Sequence, residues 1–170
     1  SPATLKAYID YLSEAFLLES ANRYDVKGKR YISTPLKYYF TDLGLRNVLL
    51  NFRQYEETHL MENAIYNELR LRGWNVNVGM VVVNSRNEQG VSQRKQLEID
   101  FVCNKGNKRC YIQSALSLPD EEKVLQEINS LQRIDDSFEK IVIVGGHAKP
   151  WINDNGIRFI NVYDFMLNDD

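Results

Sequence analysis

QLEIDFVCNKGNKRCYIQSALSL, residues 96–118, decides the fold. Two apolar runs, LEIDFVC and RCYIQSALSL, flank the turn sequence KGNK. Runs of this length, rich in Ile, Phe, Val and Tyr and separated by Gly and Asn, predict two strands joined by a tight turn. Successive side chains of a strand point to opposite faces, so Asp100 is expected to point away from Ile99 and Phe101, and Gln113 to share a face with Ala115. A carboxylate within an apolar strand needs a partner or a polar cleft. Asp100 is therefore expected to face such a cleft, with Gln113 beside it. Glu98, two residues earlier, falls on the Asp100 face and either adds an oxygen to the cleft or marks its solvent end.

Working outward, WNVNVGMVVVN (74–84) predicts a strand, and the polar SRNEQGVSQRKQ (85–96) a loop. Upstream, HLMENAIYNELRLRG predicts a helix that starts near Thr58 and ends at Gly73 as its C′ residue. Downstream, Pro119 and Asp120 open a helix over 120–134, with acidic residues in its first turn. KIVIVGG (140–146) is a central strand, and GIRFINVYDFML (156–167) a strand followed by a short helix. From residue 58 the order is α-β-β-β-α-β-β-α. Its first three strands form a meander, and the helix after them crosses over to a parallel neighbour. This predicts an α/β (α+β) protein, a mixed sheet flanked by helices.

The first third reads differently. Ser1 or Thr4 caps a helix to about Leu18, with Leu5, Tyr8, Ile9, Leu12 and Phe16 at helical spacing. Extended runs on either side of Lys27-Gly28-Lys29 predict a hairpin with a basic tip of Lys27, Lys29 and Arg30. Pro35 breaks the chain, KYYF (37–40) is a short strand, and Asp42 caps a further helix. A helix, a basic hairpin, a strand and a helix resemble part of a winged-helix unit, whose wing can touch phosphate; a solvated turn is the plainer alternative. The expected division is a winged-helix-like segment over 1–55 and a larger domain over 56–170.

The composition, 44% hydrophobic and 26% charged, is that of a globular chain and excludes intrinsic disorder. The net charge of −2 conceals an asymmetry, +3 over residues 1–55 and −5 over 56–170. A dedicated duplex-binding protein is usually more basic. Cys103 and Cys110 read as reduced, partly buried thiols, with a cross-strand disulfide the alternative in an oxidising compartment, and with His59 and His147 they lack zinc-site spacing. No signal peptide and no run approaching the ~20 apolar residues of a membrane span is visible. A cytoplasmic location with no membrane partner is expected. The chain opens without Met and is expected to be part of a longer polypeptide.

The order αβββαβ is similar to the core of the PD-(D/E)xK nuclease superfamily, a restriction-endonuclease-like fold. That resemblance implies a Glu on the first helix, an Asp on the second meander strand and a Glu/Gln-x-Lys on the third. The matching residues are Glu62, Asp100 and Gln113-Ser114-Ala115. In such sites carboxylates gather a divalent cation, usually Mg²⁺, which activates water, and the Lys stabilises developing charge. Glu62 and Asp100 are thus the candidate metal ligands, although Glu62 equally fits a plain salt bridge. Ala115 stands where the Lys is expected, so the catalytic set Glu62, Asp100 and Gln113 is degenerate unless Lys123 reaches back from the next helix.

Four stretches, KYYFTDLGLRN, HLMENAIYNELRLRGWNV, QLEIDFVC and YIQSALSL, together resemble the C-terminal domain of unknown function of a prokaryotic AAA+-like (P-loop) ATPase family, over residues 4–164. The resemblance implies an upstream ATPase domain as partner and ATP as its ligand. This chain itself has no G-x-x-x-x-G-K-[ST], so no cofactor is expected in it beyond Mg²⁺ at the cleft. Three functions fit: a degenerate nuclease-like module that recognises nucleic acid or a partner, an active metal-dependent nuclease, and a protein-interaction or assembly domain.

Overall fold

Helix α1 (Pro2–Glu14) begins where the Ser1 side chain accepts a hydrogen bond from the Thr4 amide. It ends short of the expected Leu18, which opens strand β1 (Leu18–Asp25) instead. The computed structural model describes residues 1–53, 55–86 and 92–168. After β1 come β2 (Arg30–Phe40), α2 (Leu43–Leu49) and α3 (Glu57–Leu71), then β3 (Asn75–Arg86), β4 (Ser92–Lys105) and β5 (Lys108–Ala115). The chain continues through α4 (Glu121–Ile128), β6 (Glu139–Val144), β7 (Trp151–Ile152), β8 (Arg158–Asn161) and α5 (Val162–Leu167).

Local chemistry sets several of these ends as expected. Asp42 and Asp120 cap α2 and α4 by accepting from the amides of Leu45 and Lys123. Gly73 follows α3 at φ 79°, a left-handed conformation that costs glycine nothing. The helix predicted over 120–134 is shorter: α4 stops at Ile128, and a 3₁₀ turn, Leu131–Arg133, completes the segment.

Among the described residues, the eight strands form one mixed sheet in the order β2-β1-β3-β4-β5-β6-β8-β7. β3, β4 and β5 are an antiparallel meander, and β6 lies parallel to β5 after the α4 crossover, as the apolar runs predict. The loop expected over 85–96 is mostly ladder: Val83, Asn84, Ser85 and Arg86 pair with Lys95, Arg94, Gln93 and Ser92. Polar residues are compatible with an antiparallel extension whose faces need no burial. Residues 87–91 of the expected loop lie outside the described residues.

The basic hairpin exists, but it does not stand free as a wing. β1 runs parallel to β3 through Arg23–Asp25 opposite Val78–Met80, and the Val26 amide donates to the Met80 carbonyl at 3.0 Å. Segment 1–55 thus supplies one edge of the common sheet. Pro35 does not end the strand either. Ala21 pairs with Lys37 and Arg23 with Ile32, so one residue of β1 faces four of β2. A residue without an N–H leaves the ladder here, and the bulge re-aims the rest of the strand, beginning with Lys37.

Two apolar cores lie on the two faces of the sheet. On the α3 and α5 face pack Tyr39, Ile65, Tyr66, Leu69, Phe101, Ile112 and Phe165, with Tyr39 and Tyr66 stacked at 4.0 Å. On the α4 face pack Tyr24, Ile99, Val102, Tyr111, Ile128, Val142 and Phe159. Strict alternation fails on β4. Asn77 pairs with Val102 and Gly79 with Ile99, so Asp100 and Phe101 together face Val78. Because of this bulge Ile99 and Phe101 belong to opposite cores rather than sharing a face away from Asp100. Gly79 makes room for it: a Cβ there would lie 2.7 Å from Val102 Cγ2 and 2.9 Å from Ile99 Cβ.

Candidate functional site

The bulge turns Asp100 toward α3, where it is only 9% exposed. The β4–β5 ladder ends at Phe101 opposite Ile112. Just past that point Asp100 Oδ2 accepts from the Ser114 amide at 2.7 Å, so a side chain replaces the missing strand acceptor. Burial, and then the nearby Glu62 charge, push the Asp100 carboxyl up to about 7, although the Ser114 amide and Lys37 oppose this.

Around Asp100 gathers a polar network drawn from four elements. Glu62 of α3 accepts from Lys37 Nζ and from the Tyr39 hydroxyl, both at 2.7 Å and both on Oε1. Glu98 of β4 accepts from Arg23 at 2.7 Å and from Lys37 at 3.1 Å. Lys37 and Tyr39 lie two apart on β2 and so reach the same carboxylate from one face. Burial opposes the charge on Lys37, but Glu62, Asp100 and Glu98 outweigh it and raise its pKa. Burial opposes the charge on Glu98 too, yet Arg23 and Lys37 hold its carboxyl below the usual range. Burial and Glu62 together raise Tyr39, which keeps its proton and donates.

Of the expected site residues, Glu62 and Asp100 come together and Glu98 joins them. Gln113 does not. It pairs with Val142, and its neighbours at two-residue spacing are Tyr111 and Ala115; all three belong to the α4-side core, which places Gln113 on the opposite face from Asp100. The β5 residue on the Asp100 face is Ser114, 8% exposed, whose Oγ is buried without a hydrogen-bond partner among the described residues. Lys123 does not reach back either; its ammonium pairs with Glu127 at 2.5 Å on its own helix. The cation comes from Lys37 instead. The sequence offered one signal for it, a Lys and a Tyr two apart in a short strand. Which strand they neighbour depends on the β1–β3 pairing, which leaves no local mark.

The basic tip occupies the other face. Arg30 lies 3.7 Å from Asp25, while Lys29 lines a groove of about 350 Å³ with Lys108, Arg109, Tyr24, Asp136 and Phe138. The Arg109 guanidinium sits 5.3 Å from the Tyr24 ring and 5.6 Å from that of Phe138. The hairpin tip and the β4–β5 turn thereby form one basic groove, a juxtaposition invisible from Lys27, Lys29 and Arg30 alone. Cys103 and Cys110 face each other across β4 and β5 as buried free thiols. His59 pairs with Glu56 and His147 stacks on Tyr163, far apart in role and in sequence.

The carboxylate cluster does not fit a divalent ion. Among the described residues no three His, Cys, Asp or Glu side chains gather as a metal would require. Glu62 Oε1 already carries two donors, and an ammonium stands between Glu62 and Glu98. Among the described residues no helix is long and apolar enough to cross a membrane.

Residues 1–56 match the profile of a family described as "Domain of unknown function (DUF8612)". Over nearly its whole length the chain is similar to two longer proteins. One, described as "Uncharacterized protein", is from Haemophilus influenzae and is 32% identical over 164 residues, 96% of this chain and 37% of that protein. The other, "Uncharacterized protein MJ1544" of Methanocaldococcus jannaschii, is 27% identical over 161 residues, 92% of this chain and 32% of that protein. The chain thus spans about a third of the length of these relatives. No solved structure matches it.

Proposed function

We propose that this chain is a nuclease-like module of a longer P-loop ATPase polypeptide, and that it recognises nucleic acid without cleaving it. One observation carries this. The order α3-β3-β4-β5-α4-β6, with its antiparallel meander and parallel crossover, brings Glu62 and Asp100 within electrostatic reach of each other while Ala115 is buried in the core of the other face. A restriction-endonuclease-like core with its carboxylates retained and its strand lysine lost suits recognition better than metal-assisted hydrolysis. The relatives are about three times as long as this chain, which leaves room for an ATPase domain and its ATP and Mg²⁺. The profile match ending at residue 56 supports a division of the chain near residue 55, with the two parts sharing one sheet.

The surface for nucleic acid is the basic groove, where Lys29, Lys108 and Arg109 lie beside the exposed Lys27 and Arg30. So few cations give weak binding that falls steeply with salt. Fluorescence anisotropy with a labelled duplex and a single strand at about 0.05 M salt tests this. Binding should be weakened by K27E/K29E/R30E and unchanged by Asp100→Ala, with the strands left intact in Mg²⁺. No binding at low salt would remove nucleic acid as the ligand and leave a protein partner. Cleavage that disappears in Asp100→Ala would make the module an active nuclease.

A further inference from the structure

We propose that the Lys37 ammonium is the resident cation of the carboxylate cleft, a built-in counter-ion that holds Glu62, Glu98 and Asp100 together and keeps divalent ions out. Three observations converge on it. The first is geometry: one ammonium lies 2.7 Å from Glu62 and 3.1 Å from Glu98, and its charge is felt at the buried Asp100. The second is charge. Among the described residues, the cations that pair with Glu62 and Glu98 are Lys37 and Arg23, and Lys37 acts on Asp100 through its charge, so the cluster has no positive charge to spare. The third is an idle oxygen. Among the described residues Ser114 Oγ has no hydrogen-bond partner, although it is buried on the residue whose amide holds Asp100. It adds an oxygen to a set that is hard throughout, the donor type that Mg²⁺ and Mn²⁺ prefer.

The lysine reaches the cleft by an unusual route. It comes not from β5, two residues beyond Gln113, but from β2, just past the bulge that lifts residues 33–36 out of the ladder. Tyr39 on the same strand donates to the same Glu62 oxygen, so β2 delivers both donors that occupy Glu62. A divalent ion would have to displace this ammonium and that hydroxyl, and while Lys37 stayed in place it would meet like charge at close range. With the ammonium removed, Glu98 keeps Arg23, while Glu62 and Asp100 lose the positive charge that faces them. The inference rests on the nuclease-like interpretation of the cleft only for the choice of ion.

Mn²⁺ titration by calorimetry, without nucleic acid, tests it on the wild type, Lys37→Gln, Lys37→Arg and the double variant Lys37→Gln/Asp100→Asn. The wild type and Lys37→Arg should show no saturable binding in the millimolar range. Lys37→Gln should take up one Mn²⁺ at least tenfold more tightly, and the double variant should lose it. Lys37→Gln should also melt at a lower temperature than the wild type and recover in Mn²⁺ but not in added NaCl of equal ionic strength. Wild-type binding as tight as that of Lys37→Gln would overturn the proposal, as would a Lys37→Gln chain that neither binds Mn²⁺ nor regains its fold in it. Neither result bears on whether the basic groove binds nucleic acid, so the two proposals fail separately.

Discussion

The two ends of the β4–β5 pair differ in kind. At one end Cys103 faces Cys110, and the register runs unbroken to Lys105 opposite Lys108 around the turn. Both thiols are buried, and beside Cys110 lies a concavity of about 440 Å³ lined by Ile112, Ile141, Ile160, Arg72 and Arg158. At the other end the ladder stops, β4 bulges, and a carboxylate replaces a backbone acceptor. Charge collects there, with Glu62, Glu98, Lys37 and Arg23 around the buried Asp100. The charged cluster sits where strand pairing fails, because a broken ladder leaves backbone donors that a polar side chain can satisfy.

The largest effect that would sharpen this contrast concerns protons. The Asp100 carboxyl titrates at about 7 in the folded chain, against 3.8 ordinarily, because it is buried and faces Glu62. Its folded pKa is raised, so the folded state holds a proton that the unfolded state releases. The stability this contributes is complete below about pH 4 and is lost as pH rises through about 7. Asp100→Asn keeps an oxygen for the Ser114 amide and removes the titration. Across that window the wild type should lose up to about 4 kcal/mol relative to the variant, measured by urea melts at several pH values. Parallel pH profiles for the two proteins would show that Asp100 is solvated and the cleft open. The Cys103–Cys110 end should contribute nothing here.

The second effect tests the bulge itself. Gly79→Ala would bring a Cβ against Val102 and Ile99, both parts of the buried α4-side core. A loss of about 2–3 kcal/mol, or roughly 5–10 °C in Tm, is expected from overpacking. Gly106, at the turn of the intact end, has φ 59° and, among the described residues, nothing within 4 Å of an added Cβ. Gly106→Ala should cost about 1 kcal/mol from backbone conformation alone. Equal losses for the two variants would mean that the bulge tolerates a side chain, and that the tight approach of Gly79 does not hold Asp100 in place.

Much of the architecture was legible in local signals. Apolar runs, the KGNK turn, the Asp42 and Asp120 caps and Gly73 each report on their own few residues, and the meander and crossover are built from them. Asp100 was legible because a carboxylate in an apolar strand is costly wherever it lies, whereas Glu62, on a helix, was reached only through the resemblance to the nuclease core. The hidden part was non-local. The β1–β3 pairing attaches the first segment to the sheet and carries Lys37 across to Glu62, and neither strand advertises its neighbour. The bulge at Asp100 and Phe101 defeats the alternation that placed Gln113 beside Asp100, because one extra residue reverses every face beyond it. Pro35 signals a break but cannot say that the strand resumes with Lys37 aimed at the cleft.

The smallest effect separates the two lysines that could have served the cleft. Lys123 is near β5 in sequence, yet it is a surface residue: its ammonium meets Glu127 one helical turn away, with side chains 37% and 15% exposed. Such i,i+4 pairs stabilise a helix by about 0.3–0.5 kcal/mol and are screened by salt. Lys123→Ala should therefore lower Tm by about 1–2 °C and leave the chain as unreceptive to Mn²⁺ as before. Paired urea melts and the same calorimetric titration check both halves. A loss above about 1 kcal/mol, or Mn²⁺ uptake by Lys123→Ala, would show its charge reaching the carboxylates, and the cleft would then draw its cation from α4 as well as β2. For an ammonium whose partners lie on several elements, closeness along the chain is a poorer guide than the strand pairing that sets it among them.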